Sequence, residues 1–224
     1  MPYCNDLFYV KLGSGRPVVL LHGNGENHEI FTELSLELAA DYQVFAIDSP
    51  GHGASHALSR YSYRDMTREI AGLLHEILDE PALIVGFSDG GIIALCLAID
   101  YPTLAAGIIP CGANFQPDGV DAAWLEEAVK RAVYGPDPLL DLMLREPNLT
   151  DRELAGIQAR TLVCAGEFDL IRLAHTQELA AKIPGAVLKI MPDEDHGSYI
   201  EHSTALALPI REQAARIWPV AQVN

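Results

Sequence analysis

The stretch Val85-Gly86-Phe87-Ser88-Asp89-Gly90-Gly91 constrains this chain more than any other. Before it stands Pro81-Ala82-Leu83-Ile84-Val85, a short apolar run of strand type. After it stands Ile92-Ile93-Ala94-Leu95-Cys96-Leu97-Ala98-Ile99, an apolar run of helix length. A serine between such a strand and such a helix sits on a strained turn that exposes its hydroxyl at the edge of a sheet. Gly86 and Gly90 remove the Cβ atoms that would collide across the turn. The helix N-terminus offers backbone N–H groups and a positive dipole to a developing oxyanion. A bare G-x-S-x-G occurs by chance; in these flanks it predicts that Ser88 is a nucleophile rather than part of a structural Gly-rich turn.

The same alternation extends along the chain. Apolar runs of strand length are predicted at residues 7–12, 17–22, 43–47, 81–85, 105–110, 160–165 and 186–190. Helices are predicted at 29–40, 65–78, 171–183 and 204–218, and after the serine turn. The second of these carries Met66, Ile70, Leu73, Leu74 and Ile77 as one apolar stripe, and Pro81 stops it. Strands and helices that alternate in this way predict an α/β fold with a mostly parallel central sheet and helices on both faces. Residues 113–155 break the alternation. Helices predicted around Trp124–Val129 and Leu139–Leu144 flank Gly135-Pro136-Asp137-Pro138, as expected of a short helical cap inserted after the strand at 105–110, which is strand six when one further strand is counted at the start of the sheet. With 224 residues and no repeat or linker, one domain over 1–224 is expected.

Charge and cysteine usage narrow the partners. The 15 basic and 31 acidic residues give a net charge of −16, which argues against nucleic acid or an anionic membrane. No apolar run reaches the roughly 18–20 residues of a membrane span. Residues 1–6 show no basic region leading into an apolar stretch, so no signal peptide is expected. Cys4, Cys96, Cys111 and Cys164 are widely spaced and three lie in apolar runs, as expected of reduced thiols in a cytoplasmic protein. The histidines show no H-E-x-x-H or similar spacing, and neither a metal nor a cofactor is expected.

Ligands on parallel sheets bind at the carboxyl ends of the strands. A serine nucleophile needs a base within hydrogen-bond reach, and the base needs an orienting acid. His196 follows the last predicted strand and Asp169 the one before, both on that rim and in the order Ser, acid, His. Glu167 competes with Asp169, as does the run Asp193, Glu194 and Asp195, which reads as solvated loop charge. An oxyanion needs two N–H donors about 3 Å away. The residue after the nucleophile, Asp89, supplies one; Asn24, in His22-Gly23-Asn24-Gly25 after the first buried strand, supplies the other. His22 is expected to support that loop. Phe87, Phe115, Trp124 and Phe168 are candidates to line the substrate pocket, with Tyr134 and Tyr199 as further aromatics.

Five motifs together carry a family resemblance. They are His22-Gly23-Asn24-Gly25, Asp48-Ser49-Pro50-Gly51-His52-Gly53-Ala54-Ser55, Gly86-Phe87-Ser88-Asp89-Gly90-Gly91, Gly166-Glu167-Phe168-Asp169 and Asp195-His196-Gly197. In this order they resemble the α/β-hydrolase fold superfamily, and its compact bacterial esterase-like members with a small cap. The second resembles a structural D-x-x-G-x-G-x-S turn in which Ser55 need not act in chemistry. The resemblance implies a serine hydrolase that cleaves a small carboxylic ester through an acyl-enzyme on Ser88, without a cofactor. Thioester, lactone, amino-acid ester and C–C bond cleavage stay open within it, and so does a weakly catalytic ligand-binding protein. The Ser-Asp-Gly-Gly turn is also similar to that of amino-acid-ester hydrolases. Asp89 would attract a substrate ammonium if its side chain faced the cleft, although the chemistry needs only its N–H. Relatives that use Asp as nucleophile are disfavoured by Ser88. Two departures stand out: with 16 residues before Pro17 the family's first antiparallel strand is expected to be missing or vestigial, and the insertion of about 40 residues implies a shallow pocket.

Overall fold

The computed structural model describes residues 3–133, 135 and 137–219. Eight strands form one sheet: β1 (Tyr3–Cys4), β2 (Leu7–Gly13), β3 (Pro17–Leu21), β4 (Gln43–Ile47), β5 (Ala82–Phe87), β6 (Ala105–Cys111), β7 (Arg160–Phe168) and β8 (Val187–Asp195). Their spatial order is β1-β2-β4-β3-β5-β6-β7-β8. The β1–β2 and β2–β4 pairs are antiparallel, and every pairing from β4 through β8 is parallel. The first antiparallel strand is present, reduced to two residues. Asn5 and Asp6 turn the chain with φ of 51° and 61°, the left-handed pair that a two-residue hairpin requires.

Helices cover both faces of the sheet. They are α1 (Thr32–Leu38), α2 (Tyr63–Ile77), α3 (Asp89–Asp100), α4 (Ala122–Ala132), α5 (Pro138–Arg145), α6 (Asp151–Ala155), α7 (Leu173–Lys182) and α8 (Ala207–Ile217). Strand β3 is buried throughout, and its side chains alternate between two cores. Val19 and Leu21 pack with Met66, Ile70 and Ile93 of α2 and α3. Val18 and Leu20 pack with Leu34 and Leu38 of α1 and with Ile210 of α8. The strand reads as a continuous apolar run because neither face meets water.

Element ends depart from the pattern-based expectation where side chains cap the backbone. The segment predicted as helix 29–40 divides into a 3₁₀ turn at His28–Phe31 and then α1, with the Asn27 side chain accepting the Glu29 N–H. Helix α2 starts at Tyr63 because the Ser62 hydroxyl accepts the Asp65 N–H. Helix α6 was not expected, although Thr150 and Glu153 form a capping box that is legible in the sequence as T-x-x-E. Strand β8 runs five residues beyond its apolar stretch, since Asp195 still pairs with Phe168 of β7. Helices α4, α5 and α6 lie between β6 and β7 in the chain. Among the described residues no helix is long and apolar enough to cross a membrane. All four cysteines are free, with Cys96, Cys111 and Cys164 buried.

Candidate active site

Ser88 stands between β5 and α3 with φ 51° and ψ −114°, a left-handed conformation that a non-glycine residue adopts only where its surroundings impose it. Its N–H is held by the Cys111 carbonyl at 2.8 Å, and its own carbonyl accepts the Ile92 N–H at 3.0 Å. The turn closes because Gly86 and Gly90 lack side chains. A Cβ on Gly86 would lie 2.0 Å from the Gly90 carbonyl oxygen, and one on Gly90 would lie 2.2 Å from that of Leu21.

The loops after β7 and β8 bring two more side chains to this turn. His196 Nε2 lies 3.1 Å from Ser88 Oγ, and His196 Nδ1 lies 2.6 Å from Asp169 Oδ1. Asp169 is fixed in turn by the Ile171 N–H to Oδ1 at 2.9 Å and the Gly166 N–H to Oδ2 at 3.0 Å. A carboxylate can only accept, so it holds the imidazole with its proton on Nδ1 and leaves Nε2 free to take the serine proton. The Phe87 ring, with its centroid 4.9 Å from that of His196, flanks the imidazole. Gly112 is needed beneath: it has φ 55°, and a Cβ there would lie 2.8 Å from His196 Cε1. Nothing in the local sequence marks this glycine, because the histidine it accommodates is 84 positions away.

Two of the competing acids serve the backbone. Glu167 accepts the Asp193 N–H at 3.0 Å. Asp195 accepts the N–H groups of Gly197 and Ser198 at 3.0 and 2.9 Å. Asp195 is therefore a turn-forming residue rather than simple solvated charge, and it shapes the loop that presents His196.

The loop His22-Gly23-Asn24-Gly25 lies beside Ser88, with Gly23 close enough that a Cβ would meet the Ser88 Cβ at 3.2 Å. His22 is buried and supports the loop: Nδ1–H donates to the Gly23 carbonyl at 2.7 Å and Nε2 accepts the Ser49 N–H at 3.0 Å. Burial lowers His22 to about 4, so the ring is neutral and can make both bonds. Glu26 Oε2 accepts the Gly23 N–H at 2.7 Å. Burial, with the nearby Glu201 carboxylate adding to it, raises Glu26 to about 7. Asp48 organises the facing turn by accepting the N–H groups of His28 and Ala54, both at 2.8 Å, and Ser55 Oγ donates to the Asp48 carbonyl.

Asp89 turns its carboxylate inward. Oδ1 accepts the Tyr63 hydroxyl at 2.7 Å and Oδ2 accepts the Asn24 side-chain amide at 2.9 Å. The residue is 3% exposed. Burial pushes its carboxyl above the usual carboxylate range, and the two donors pull the other way.

An open cleft of about 230 Å³ lies over Ser88 and His196. Phe87 and Trp124 line it, Trp124 reaching it from α4. Leu140 and Met143 of α5 close another side, and Glu26, Arg131 and Glu201 add charge. Phe115 and Phe168 are placed elsewhere, and the expectation that they line the pocket is corrected. Phe115 is buried in a stack on His175 with ring centroids 4.1 Å apart, and Phe168 is 66% exposed at the end of β7. An aromatic near the rim in sequence goes to core, cleft or solvent according to packing that the sequence pattern does not carry. Tyr199 is core, and Tyr134 lies outside the described residues. Among the described residues no group of three or more His, Cys, Asp or Glu side chains is placed to hold a metal ion.

Comparison with known proteins agrees with this architecture. A family model for the alpha/beta hydrolase fold matches residues 16–144, more than half of the chain. The pimeloyl-(acyl-carrier protein) methyl ester esterase of Chromobacterium violaceum is 40% identical over 97 residues, covering 43% of this chain and 37% of that protein. The match thus spans about two fifths of that relative's length. The mouse (Mus musculus) serine hydrolase BPHL is 26% identical over 87% of this chain and 78% of that protein. Among solved structures, an esterase from Thermogutta terrifontis superposes with a TM-score of 0.78 at 22% identity, covering 94% of this chain and 93% of that one. By sequence family and by sheet order alike, the chain belongs to the α/β-hydrolase fold family.

Proposed function

We propose that this protein is a serine hydrolase that cleaves small carboxylic esters through an acyl-enzyme on Ser88. The observation that carries the reading is the continuous relay from Ser88 Oγ through His196 to Asp169, at 3.1 and 2.6 Å, opening into a cleft. Ser88 attacks the ester carbonyl while His196 Nε2 takes its proton. Asp169 orients the imidazole and stabilises the imidazolium. The N–H groups of Asn24 and Asp89 take the tetrahedral oxyanion, the latter reinforced by the N-terminus of α3. His196 then protonates the leaving alkoxide and activates the water that releases the acid. The methyl ester esterase name of the Chromobacterium violaceum relative supports an ester as the bond cleaved. The cleft, at about 230 Å³, lies below the ~300–1,000 Å³ usual for drug-sized ligands, which favours a short acyl group.

The test is hydrolysis of p-nitrophenyl acetate, butyrate and octanoate by the wild type and by Ser88→Ala. Removing a triad member should cost on the order of 10³ to 10⁶ in rate. Acetate and butyrate should exceed octanoate. Equal rates for the two proteins would overturn the reading.

A further inference from the structure

We propose that the Asp89 carboxylate is a positioning residue that clasps the oxyanion loop to the nucleophile turn, with the Tyr63 hydroxyl and the Asn24 amide as its two jaws. The inference rests on the proposed serine-hydrolase reading and deepens it: it assigns the side chains, where that reading uses only backbone N–H groups.

The two proposed oxyanion donors come from different loops. Asn24 follows β3, and Asp89 opens α3 after β5. Strands β3 and β5 are neighbours in the sheet, but strand pairing ends at Leu21 and Gly86, before either donor is reached. Beyond that point something else must set the distance between the donors. The bond from Asn24 Nδ2 to Asp89 Oδ2 at 2.9 Å joins the same two residues through their side chains. Each backbone N–H is thereby tied to the other by a short covalent path and one charge-assisted hydrogen bond.

The acceptor end of the clasp is rigid. Asp89 is the first residue of α3, where a carboxylate is favoured by the helix dipole. Its other oxygen is occupied by the Tyr63 hydroxyl at 2.7 Å, and Tyr63 is 2% exposed. Tyr63 is itself held from a second side: it opens α2, and its backbone N–H, which has no partner within the helix, is accepted by Glu146 Oε2 at 2.9 Å. With both oxygens engaged by protein donors, the Asp89 carboxylate is turned to the loop and away from a substrate ammonium. A donor displaced by ~1 Å loses on the order of 10² in rate, and loss of one donor costs ~10²–10³. Loosening the clasp should therefore cost about 10- to 100-fold.

The experiment compares Asn24→Ala, Asp89→Ala and the double variant with wild type and Ser88→Ala. Asn24→Ala keeps the backbone N–H and changes a partly exposed side chain, so it tests the clasp without emptying the core. Asp89→Ala keeps the backbone N–H and removes both acceptors, so the bonds to Tyr63 and to Asn24 are lost together. The readouts are kcat and KM on p-nitrophenyl butyrate, the rate of Ser88 labelling by a fluorophosphonate probe, and hydrogen exchange of residues 22–27. Each single variant should lower kcat and the labelling rate about 10- to 100-fold with KM within threefold. The double variant should be no worse than the worse single, because both break the same bond. Exchange in 22–27 should quicken in each. Single variants within twofold of wild type, or losses that multiply in the double, overturn the clasp. If even the wild type shows no Ser88-dependent turnover or labelling, the serine-hydrolase reading fails. The exchange rates then decide the clasp alone, and unchanged exchange refutes it. A defect confined to cationic esters would instead assign Asp89 to substrate binding, and would also overturn the proposal.

Discussion

Gly86→Ala isolates the steric argument on which the nucleophile turn depends. The added Cβ would lie 2.0 Å from the Gly90 carbonyl oxygen, 2.3 Å from its carbon and 2.6 Å from the Gly91 nitrogen. All three are backbone atoms at the start of α3, so no side chain can rotate away. Reaching even 3.0 Å from the oxygen, a separation that real Cβ atoms essentially never undercut, requires the end of β5 and the start of α3 to part by about 1 Å. Overpacking of this kind costs ~1–3 kcal/mol, and the backbone contact places Gly86→Ala at the upper end. Ser88 sits between the two displaced elements, and its 3.1 Å bond to His196 does not survive such a shift. A misplacement of ~1 Å costs on the order of 10² in rate. Gly72→Ala is the internal control. Its Cβ would meet only Asn5 Nδ2, at 3.9 Å, in the middle of α2. There alanine should stabilise by roughly 0.5–1 kcal/mol through helix propensity. Urea denaturation gives both stabilities, and p-nitrophenyl butyrate hydrolysis gives the rate. A Gly86→Ala protein with the wild-type midpoint and wild-type kcat would refute the reasoning.

Two further outcomes follow from the site. Asp169→Asn should lower kcat by about 10⁴, because an amide cannot accept from His196 and from both backbone N–H groups at once and so favours the wrong imidazole tautomer; a loss below tenfold in p-nitrophenyl butyrate assays would contradict this role. Glu26→Gln should change how stability depends on pH. Glu26 is raised from 4.5 to about 7, so between these values the folded protein keeps a proton that the unfolded chain has released. That contribution is fully present below about pH 4.5 and is lost as pH rises through 7. At ~1.36 kcal/mol per pH unit the ceiling is about 3.4 kcal/mol, and solvent at this half-buried carboxyl reduces the expectation to about 1–2 kcal/mol. Urea midpoints of the two proteins should agree at pH 4 and favour Glu26→Gln at pH 8; parallel curves would show that the carboxyl is not held protonated.

Most of the fold was legible before any coordinates, because its signals are local. Strand β3 is recognisable as buried from five consecutive apolar residues, and α2 from the spacing of Met66, Ile70, Leu73 and Leu74. The serine turn is legible for the same reason: the clashes that demand glycine at 86 and 90 arise within one turn, or against the strand beside it. Asp169 and His196 were found through topology, since a parallel sheet delivers the ends of β5, β7 and β8 to one edge whatever their side chains.

What the pattern left open depends on contacts between residues far apart in the chain. Asp169 prevails over Glu167 because the N–H groups of Gly166 and Ile171 hold it against His196, while Glu167 is drawn to Asp193. Trp124 lines the cleft while Phe115 stacks on His175, though both are aromatics of the same insertion. The joining of Tyr63, Asp89 and Asn24 has no local signature at all. Backbone sterics and hydrophobic periodicity act over a few residues and can be read in order along a chain. The destination of a polar or aromatic side chain is set by whichever partner the packed layers bring within about 3–4 Å, and only the tertiary structure decides that.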